Sequence, residues 1–226
     1  GRWKYGLPPA GNANYAWILH MLSKLKAGKG VAGFLLANGA LGDGDAVAIR
    51  KKLIKNDKVE AIVVLPRELF YTTDISVTLW ILNDNKKGGT WHGHKLRNRE
   101  KEILFMDLRQ WTENPVKGEQ KKKVELKADQ IKRAAEIYLK WQTEGTDRAN
   151  YAEPELYRSV GFDELDINGY SLVPSRYIEF VDRDTKIDYH QVLTETATTV
   201  ADLLKRQKQN DETLRNALKK LGYECE

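Results

Sequence analysis

The sequence predicts an α/β fold followed by a long helix, and three observations predict it. Short, nearly continuous apolar runs recur through the first 84 residues, each bounded by glycine, proline or polar breakers. Segments with helical spacing alternate with those runs, which is the pattern of a layered α/β sheet. Beyond about residue 188 the periodicity changes to a sustained heptad repeat.

The elements follow in order. YGLPPAGNANYAWILHML (5–22) leads into a helix over Asn12–Lys26, with Asn12 or Asn14 as its N-cap. Tyr15, Ile18, Leu19, Leu22 and Leu25 form its apolar stripe, and Gly28 and Gly30 stop it. VAGFLLA (31–37) reads as a strand buried on both faces. NGALGDGD (38–45) is a loop, Ala46–Lys55 a second helix, and KVEAIVVLP (58–66) a second buried strand. RELFYTTDI (67–75) connects it to a third strand, SVTLWILND (76–84). No helix fits in so short a connection, so the third strand returns antiparallel to the second.

The polar, basic stretch 85–103 reads as an exposed loop, LFMDLR (104–109) as a short strand, and NPVKGEQKKK (114–123) as a second basic loop. Ala128–Gln142 has Ile131, Ala134, Ala135, Tyr138 and Trp141 on one side and reads as a helix. Residues 143–186 are loop-rich, with a strand or turn expected at YSLVPSRYIEF (170–180).

From about Asp188 to Gly222, Leu193, Ala197, Val200, Leu204, Gln207, Asp211, Leu214, Leu218 and Leu221 are spaced by alternating fours and threes. Such a helix is about 50 Å long. It either packs along its own domain or serves as a coiled-coil arm for a partner, with Gln207 and Asp211 setting register or weakening the pairing.

Composition narrows the classes. Hydrophobic residues make up 41% of 226, enough for a substantial core. No apolar run reaches the roughly 18 residues of a membrane span. The polar start, punctuated by Gly and Pro, does not read as a signal peptide. Cys225 is the sole cysteine, which rules out an internal disulfide and fits a reducing, cytoplasmic setting. The net charge of +5 is compatible with nucleic acid without pointing to it. His92 and His94 form a pair with no third ligand nearby, so no metal site is expected. His20 and His190 read as structural, and no Ser-His-Asp or Cys-His arrangement is apparent.

Taken together, YGLPPAGNANYAWILHML, GVAGFLLANGAL, IRKKLIKNDKVEAIVVLPRELFYTTDI, LWILNDNK and LFMDLRQW closely resemble the modification subunit of type I restriction–modification systems. YRSVGFDELDINGYSLVPSRYI (157–178) resembles that family's segment after the catalytic domain. The resemblance covers about residues 2–180, and LPRELFYTTDI followed by a strand is its specific part. It implies an S-adenosylmethionine-dependent DNA adenine-N6 methyltransferase acting on DNA with a specificity subunit and a restriction subunit. It also implies a fold: the C-terminal portion of a Rossmann-like class I methyltransferase sheet, then a mixed extension and a long C-terminal helix. Residues 1–110 would belong to the catalytic domain, 111–186 to a mixed α/β extension, and 187–226 to a partner-binding arm.

Two family motifs are not matched. The catalytic loop is Asn-Pro-Pro followed by an aromatic residue: an amide and a carbonyl accept hydrogen bonds from the adenine amino group, and the ring stacks on the flipped base. Leu7 has no side-chain acceptor and Ala10 no ring, so Pro8 and Pro9 are read as helix entry. NGALGDGD has glycines but follows a late strand and lacks the family's cofactor motif; an ordinary surface turn accounts for it. Catalytic residues are therefore expected to be absent, and this chain alone is expected to hold no cofactor. A non-catalytic interaction or scaffold protein that keeps part of the sheet is the alternative.

What the resemblance places here is a base-stacking aromatic between the last two strands. Phe70 occupies that place and Tyr71 is its alternative; core packing is the other reading of Phe70. Thr72, Thr73 and Asp74 either line the same pocket, touch phosphate, or form a satisfied turn. Asn38 follows a carboxyl strand end, where α/β sheets place ligands. Lys86–Lys101 and Lys117–Lys123 are either phosphate contacts or solvated loops. In the arm, Leu193, Val200, Leu204, Leu214, Leu218 and Leu221 are the partner-binding candidates.

Overall fold

The computed structural model describes residues 1–91, 93–112, 123–143, 147, 150–181 and 188–222. Gly1–Phe180 form one compact unit and Val181–Glu226 a second.

In the first unit, α1 (Asn14–Lys24) buries Tyr15, Ile18, Leu19 and Leu22, the stripe read from spacing. Its N-cap is Ala13, not an asparagine. The Asn12 carboxamide is committed elsewhere: Oδ1 accepts the Asn14 amide at 3.0 Å and Nδ2 donates to Asp43 at 2.6 Å. That bond ties the helix entry to the turn after β1 (Val31–Ala37). Then come α2 (Val47–Lys55), β2 (Val59–Val64) and β3 (Val77–Asn83). Hairpin strands β4 (Gly89–Trp91) and β5 (His94–Leu96) follow, then β6 (Glu102–Asp107) and α3 (Ala128–Gln142). The unit ends with β7 (Ala152–Glu153), β8 (Tyr157–Gly161) and α4 (Phe162–Ile167).

Six strands form one mixed sheet in the order β1-β3-β2-β6-β8-β7. β3 is antiparallel to both β1 and β2, as the short connection requires. β2 and β6 are parallel, and β8 is antiparallel to β6. On one face, α1, α2 and Tyr177 cover Ile62, Trp80, Leu82 and Phe105. On the other, Ile137 and Trp141 of α3 cover Ala61, Val63, Leu104 and Met106. β2 and β6 are therefore buried at every residue.

Two further expectations are corrected and one left open is resolved. β1 is the outermost strand of the sheet and is not buried on both faces. Phe34 and Leu36 pack on the first core, but Val31 and Leu35 on the other side are 50% and 44% exposed, because the buried core around α3 includes no residue of β1. The stretch 85–103 is more than an exposed loop: it carries the β4–β5 hairpin, and Lys86 and Arg99 are buried. Each charge there is matched by buried acceptors, which makes burial tolerable. Of the strand or turn expected at 170–180, the turn is what forms. Pro174–Arg176 is a 3-10 turn, consistent with a proline that cannot donate to a ladder, and β8 at 157–161 extends the sheet instead.

The second unit contains α5 (Tyr189–Lys220), 32 residues long, or about 48 Å at the usual rise. Asp188 caps it, its Oδ1 accepting the His190 and Gln191 amides at 3.0 and 3.1 Å. No residue of α5 is buried, and among its seam residues Leu193 and Leu204 are 67% and 60% exposed. Among the described residues no helix is long and apolar enough to cross a membrane.

Candidate functional site

The pairing fixes strand directions. β1, β2 and β6 run one way, β3 and β8 the other. The carboxyl ends Ala37, Val64 and Asp107 therefore share one edge of the sheet, with the start of β3 between the first two and the start of β8 beyond the third. The segment from Leu65 to Ser76, which carries Phe70–Asp74, leaves and re-enters the sheet at that edge, and Asn38 lies on it. The structure thus places the sequence candidates along one edge rather than scattering them.

Asn38 is held there by a neighbouring strand: the Thr78 hydroxyl donates to its Oδ1 at 2.6 Å. Phe70 is half-buried, Tyr71 is 74% exposed, and Thr72 and Asp74 are exposed. Phe70 and Thr73 form an isolated antiparallel bridge, with the Thr73 amide 3.3 Å from the Phe70 carbonyl. Ser76 Oγ donates to the Leu65 carbonyl at 2.5 Å and closes the base of the loop. Lys123 reaches in from a distant segment: its Nζ donates to the Phe70 carbonyl at 2.8 Å and to Asp74 at 3.1 Å. At the end of β6, Asp107 grips Arg109 through bonds of 2.5 to 3.0 Å, which hold the Arg109 guanidinium above its ordinary pKa.

The opposite edge is built differently. Glu60 sits at a bulge in β2 and has no exposed surface. Its carboxylate accepts from Asn83, from Arg99 at 3.2 Å, from Tyr138 at 3.2 Å and from Gln142 at 2.8 Å. Beside it Arg97 and Glu102 form a two-pronged pair at 2.6 and 3.0 Å, and Lys86 donates to the Val59 and Glu102 carbonyls. Burial pushes the Lys86 ammonium below its ordinary value, against the opposing charge of Asp57. Burial raises the phenol of Tyr138, and the Glu60 charge raises it further. A cleft of about 550 Å³ opens at this edge, lined by Asn83, Trp91, Arg99, Tyr138 and Gln142. It lies away from Phe70.

The basic stretches divide. Lys86, Arg99 and Lys123 are buried and engaged in the fold, so these three are not free phosphate contacts. Residues 117–122 and His92 lie outside the described residues. Among the described residues no group of three or more His, Cys, Asp or Glu is placed to hold a metal. The glycine-rich stretch 38–45 is tied into the fold on one side. Ala40 and Leu41 are buried, the Asp43 carboxylate takes the Asn12 amide, and its carbonyl takes the Arg50 guanidinium at 2.8 Å. Gly42, Gly44 and Asp45 are exposed.

Sequence reasoning missed Lys123 and the Glu60 cluster. A lone acid inside an apolar run was the available signal for Glu60. Nothing in a run of three lysines marks Lys123 as turning inward.

An α/β sheet with candidate ligand residues at its carboxyl edge fits the comparisons with known proteins. The model of the N-6 DNA methylase family matches residues 1–186, and the chain belongs to that family. It is 34% identical over 233 aligned residues to the type I restriction enzyme HindI methylase subunit of Haemophilus influenzae, covering 99% of this chain and 47% of the relative. It is 32% identical to the MjaIX methylase subunit of Methanocaldococcus jannaschii, covering 98% and 36%. The chain thus spans less than half the length of these relatives. The fold is shared with a type I methyltransferase subunit from Streptococcus thermophilus, TM-score 0.61 at 24% identity, over 79% of this chain and 33% of the other. It is also shared with the EcoKI M protein, TM-score 0.54 at 16% identity, over 88% and 45%.

Proposed function

We propose that these 226 residues are the C-terminal part of a type I modification subunit. On this reading they supply the base-contacting edge and the docking arm of a site-specific DNA adenine-N6 methyltransferase. The observation that carries the reading is the carboxyl edge of the sheet, which holds both Asn38 and the Phe70–Asp74 loop. Open α/β sheets place ligands outside the carboxyl ends of their strands. Phe70, or the more exposed Tyr71, offers the flat surface on which an extruded adenine stacks, offsetting the cost of unstacking. Thr72, Thr73 and Asp74 line the pocket or meet the backbone of the DNA. S-adenosylmethionine and the Asn-Pro-Pro-aromatic loop belong to the rest of the subunit, so these residues alone hold no cofactor. The seam of α5, Leu193, Val200, Leu204, Leu214, Leu218 and Leu221, packs against helices of the specificity subunit, and the restriction subunit joins that assembly in the cytoplasm.

The test is Phe70→Ala in the complete subunit bound to its specificity partner. Methylation should fall about ten- to a hundredfold, the range of one base–aromatic stack, while the melting temperature stays within a few degrees. Loss of activity matched by loss of stability would make Phe70 core packing. Full activity in both Phe70→Ala and Tyr71→Ala overturns the reading.

A further inference from the structure

We infer that Lys123 is a positioning residue for the proposed base-binding edge, fixing the main chain of Phe70 so that the aromatic side chains at 70 and 71 are presented to the DNA. This rests on the reading of Phe70 given above.

Three bonds within the loop near its tip are long. The Thr73 amide is 3.3 Å from the Phe70 carbonyl, the Ile75 amide is 3.4 Å from Thr73 Oγ1, and Arg67 Nε is 3.4 Å from the Asp74 carbonyl. All lie at or beyond the long end of N–H···O geometry. Glu68, two residues before Phe70, adopts φ +62°, a conformation non-glycine residues hold only where the surroundings enforce it.

The surroundings are Lys123 and Val124. The Val124 amide donates to the Glu68 carbonyl at 3.1 Å. Lys123 Nζ donates to the Phe70 carbonyl at 2.8 Å and pairs with the Asp74 carboxylate at 3.1 Å. Its side chain is 5% exposed while that of Asp74 is 60% exposed, so the ammonium sits beneath the turn. It grips the turn on both sides of Tyr71–Thr73. The bond to the Phe70 carbonyl acts on the residue whose ring the reading needs. A lysine is a costly filler for such a place, since burying an ammonium is unfavourable unless its donors are used. A charge bonded to a main-chain carbonyl and to a carboxylate on one turn fixes that turn's orientation more tightly than neutral bonds would.

The experiment compares Lys123→Met, Lys123→Arg, Phe70→Ala and Tyr71→Ala in the complete subunit with its specificity partner. It measures single-turnover methylation, DNA affinity, melting temperature and hydrogen exchange of the 66–76 amides. Lys123→Met keeps most of the buried stem and removes both bonds. It should speed exchange in the loop and slow single-turnover methylation by about tenfold or more, the scale expected when a reacting group is misplaced by about an ångström. DNA affinity should stay within about twofold, because phosphate contacts dominate it. Lys123→Arg, which retains a donor, should recover part of the rate. Unchanged methylation in Lys123→Met, with a loosened loop and a clear loss in Phe70→Ala, overturns the role of Lys123 alone. Silence in both Phe70→Ala and Tyr71→Ala overturns the base-stacking reading beneath it. If Lys123→Met does not fold, Asp74→Asn is measured in its place. It removes only the carboxylate anchor, and a loosened loop with an undiminished rate there overturns the proposal as well.

Discussion

Replacing Glu60 by leucine tests how the sheet and α3 are held together. Glu60 is the one acid inside the fully buried strand β2 and carries the bulge between Val59 and Ala61. It is wholly buried and joins four partners from β3, the segment after the hairpin, and α3. Leucine leaves Arg99, itself 1% exposed, without its carboxylate. Removing one partner of a buried pair costs about 3–5 kcal/mol. The stranded donors of Asn83, Tyr138 and Gln142 would each add about 1 kcal/mol. Those three residues and Arg99 line the adjoining cleft, so water can reach them and offset much of that second part. The expected loss is therefore about 3–5 kcal/mol, a large share of a typical domain's 5–15 kcal/mol. Urea unfolding followed by tryptophan fluorescence reads it, with Arg99→Met and the double variant completing the cycle. The double variant should lose less than the two singles summed, by about 1–3 kcal/mol. A loss below about 1 kcal/mol for Glu60→Leu, within the range of ordinary surface substitutions, would refute the reasoning.

The remaining predictions concern alkaline pH and the arm. Burial pushes the phenols of Tyr15, Tyr151 and Tyr177 up to about 12, and Tyr138 is raised as well. Their unfolded values are about 10, so the stability these neutral phenols contribute is complete below about pH 10 and is lost as pH rises from there through the folded values. Phenolate absorbance from these residues should appear in one step together with loss of circular dichroism; free titration near pH 10 in a folded chain would contradict it. Deleting residues 188–226 should abolish binding to the specificity subunit, measured by gel filtration of the mixture, while circular dichroism shows the α/β unit intact. Binding that persists unchanged would rule out docking through α5.

The strands β1, β2, β3 and β6 were legible in the sequence because a run such as AIVV admits little else. Which faces those strands bury was not. VAGFLLA and EAIVV read alike, yet one is an edge strand and the other lies between two helical layers. The difference lies in the reach of α3, a property of the assembled layers and not of either run. The basic stretches misled for a related reason. Lysine and arginine are exposed by default, and Lys86, Arg99 and Lys123 turn inward only because strand ends and turns, distant in sequence, leave acceptors for them. β8 was missed because YRSVG is short and amphipathic, while the more apolar 170–180 stretch drew the assignment. Of the candidate site, the loop was proposed through the family pattern and Asn38 from its place after a carboxyl strand end. The sequence did not show that Thr78 and Lys123 hold them.

The two edges of the sheet divide the work of the molecule. At one, Glu60, Arg99, Glu102 and Arg97 bind strand ends to α3 through buried charge, where loss of a single partner is a loss of stability. At the other, exposed Tyr71 and half-buried Phe70 ride on a turn held from below by Lys123 and Val124. Local stability follows the number of buried, satisfied contacts, and binding loops are drawn from its low end. β2 and β3 run between the two edges, so a rigid amino edge steadies the strands from which the loop departs. Substitutions at Glu60 should therefore move unfolding, and substitutions at Phe70 or Lys123 should move turnover, with little crossover between them. Sites this far apart with no shared partners behave additively. A double variant at Glu60 and Phe70 in the complete subunit should lose stability and activity as the separate singles do. Coupling between them beyond about 0.5 kcal/mol would mean that the loop depends on the opposite edge after all.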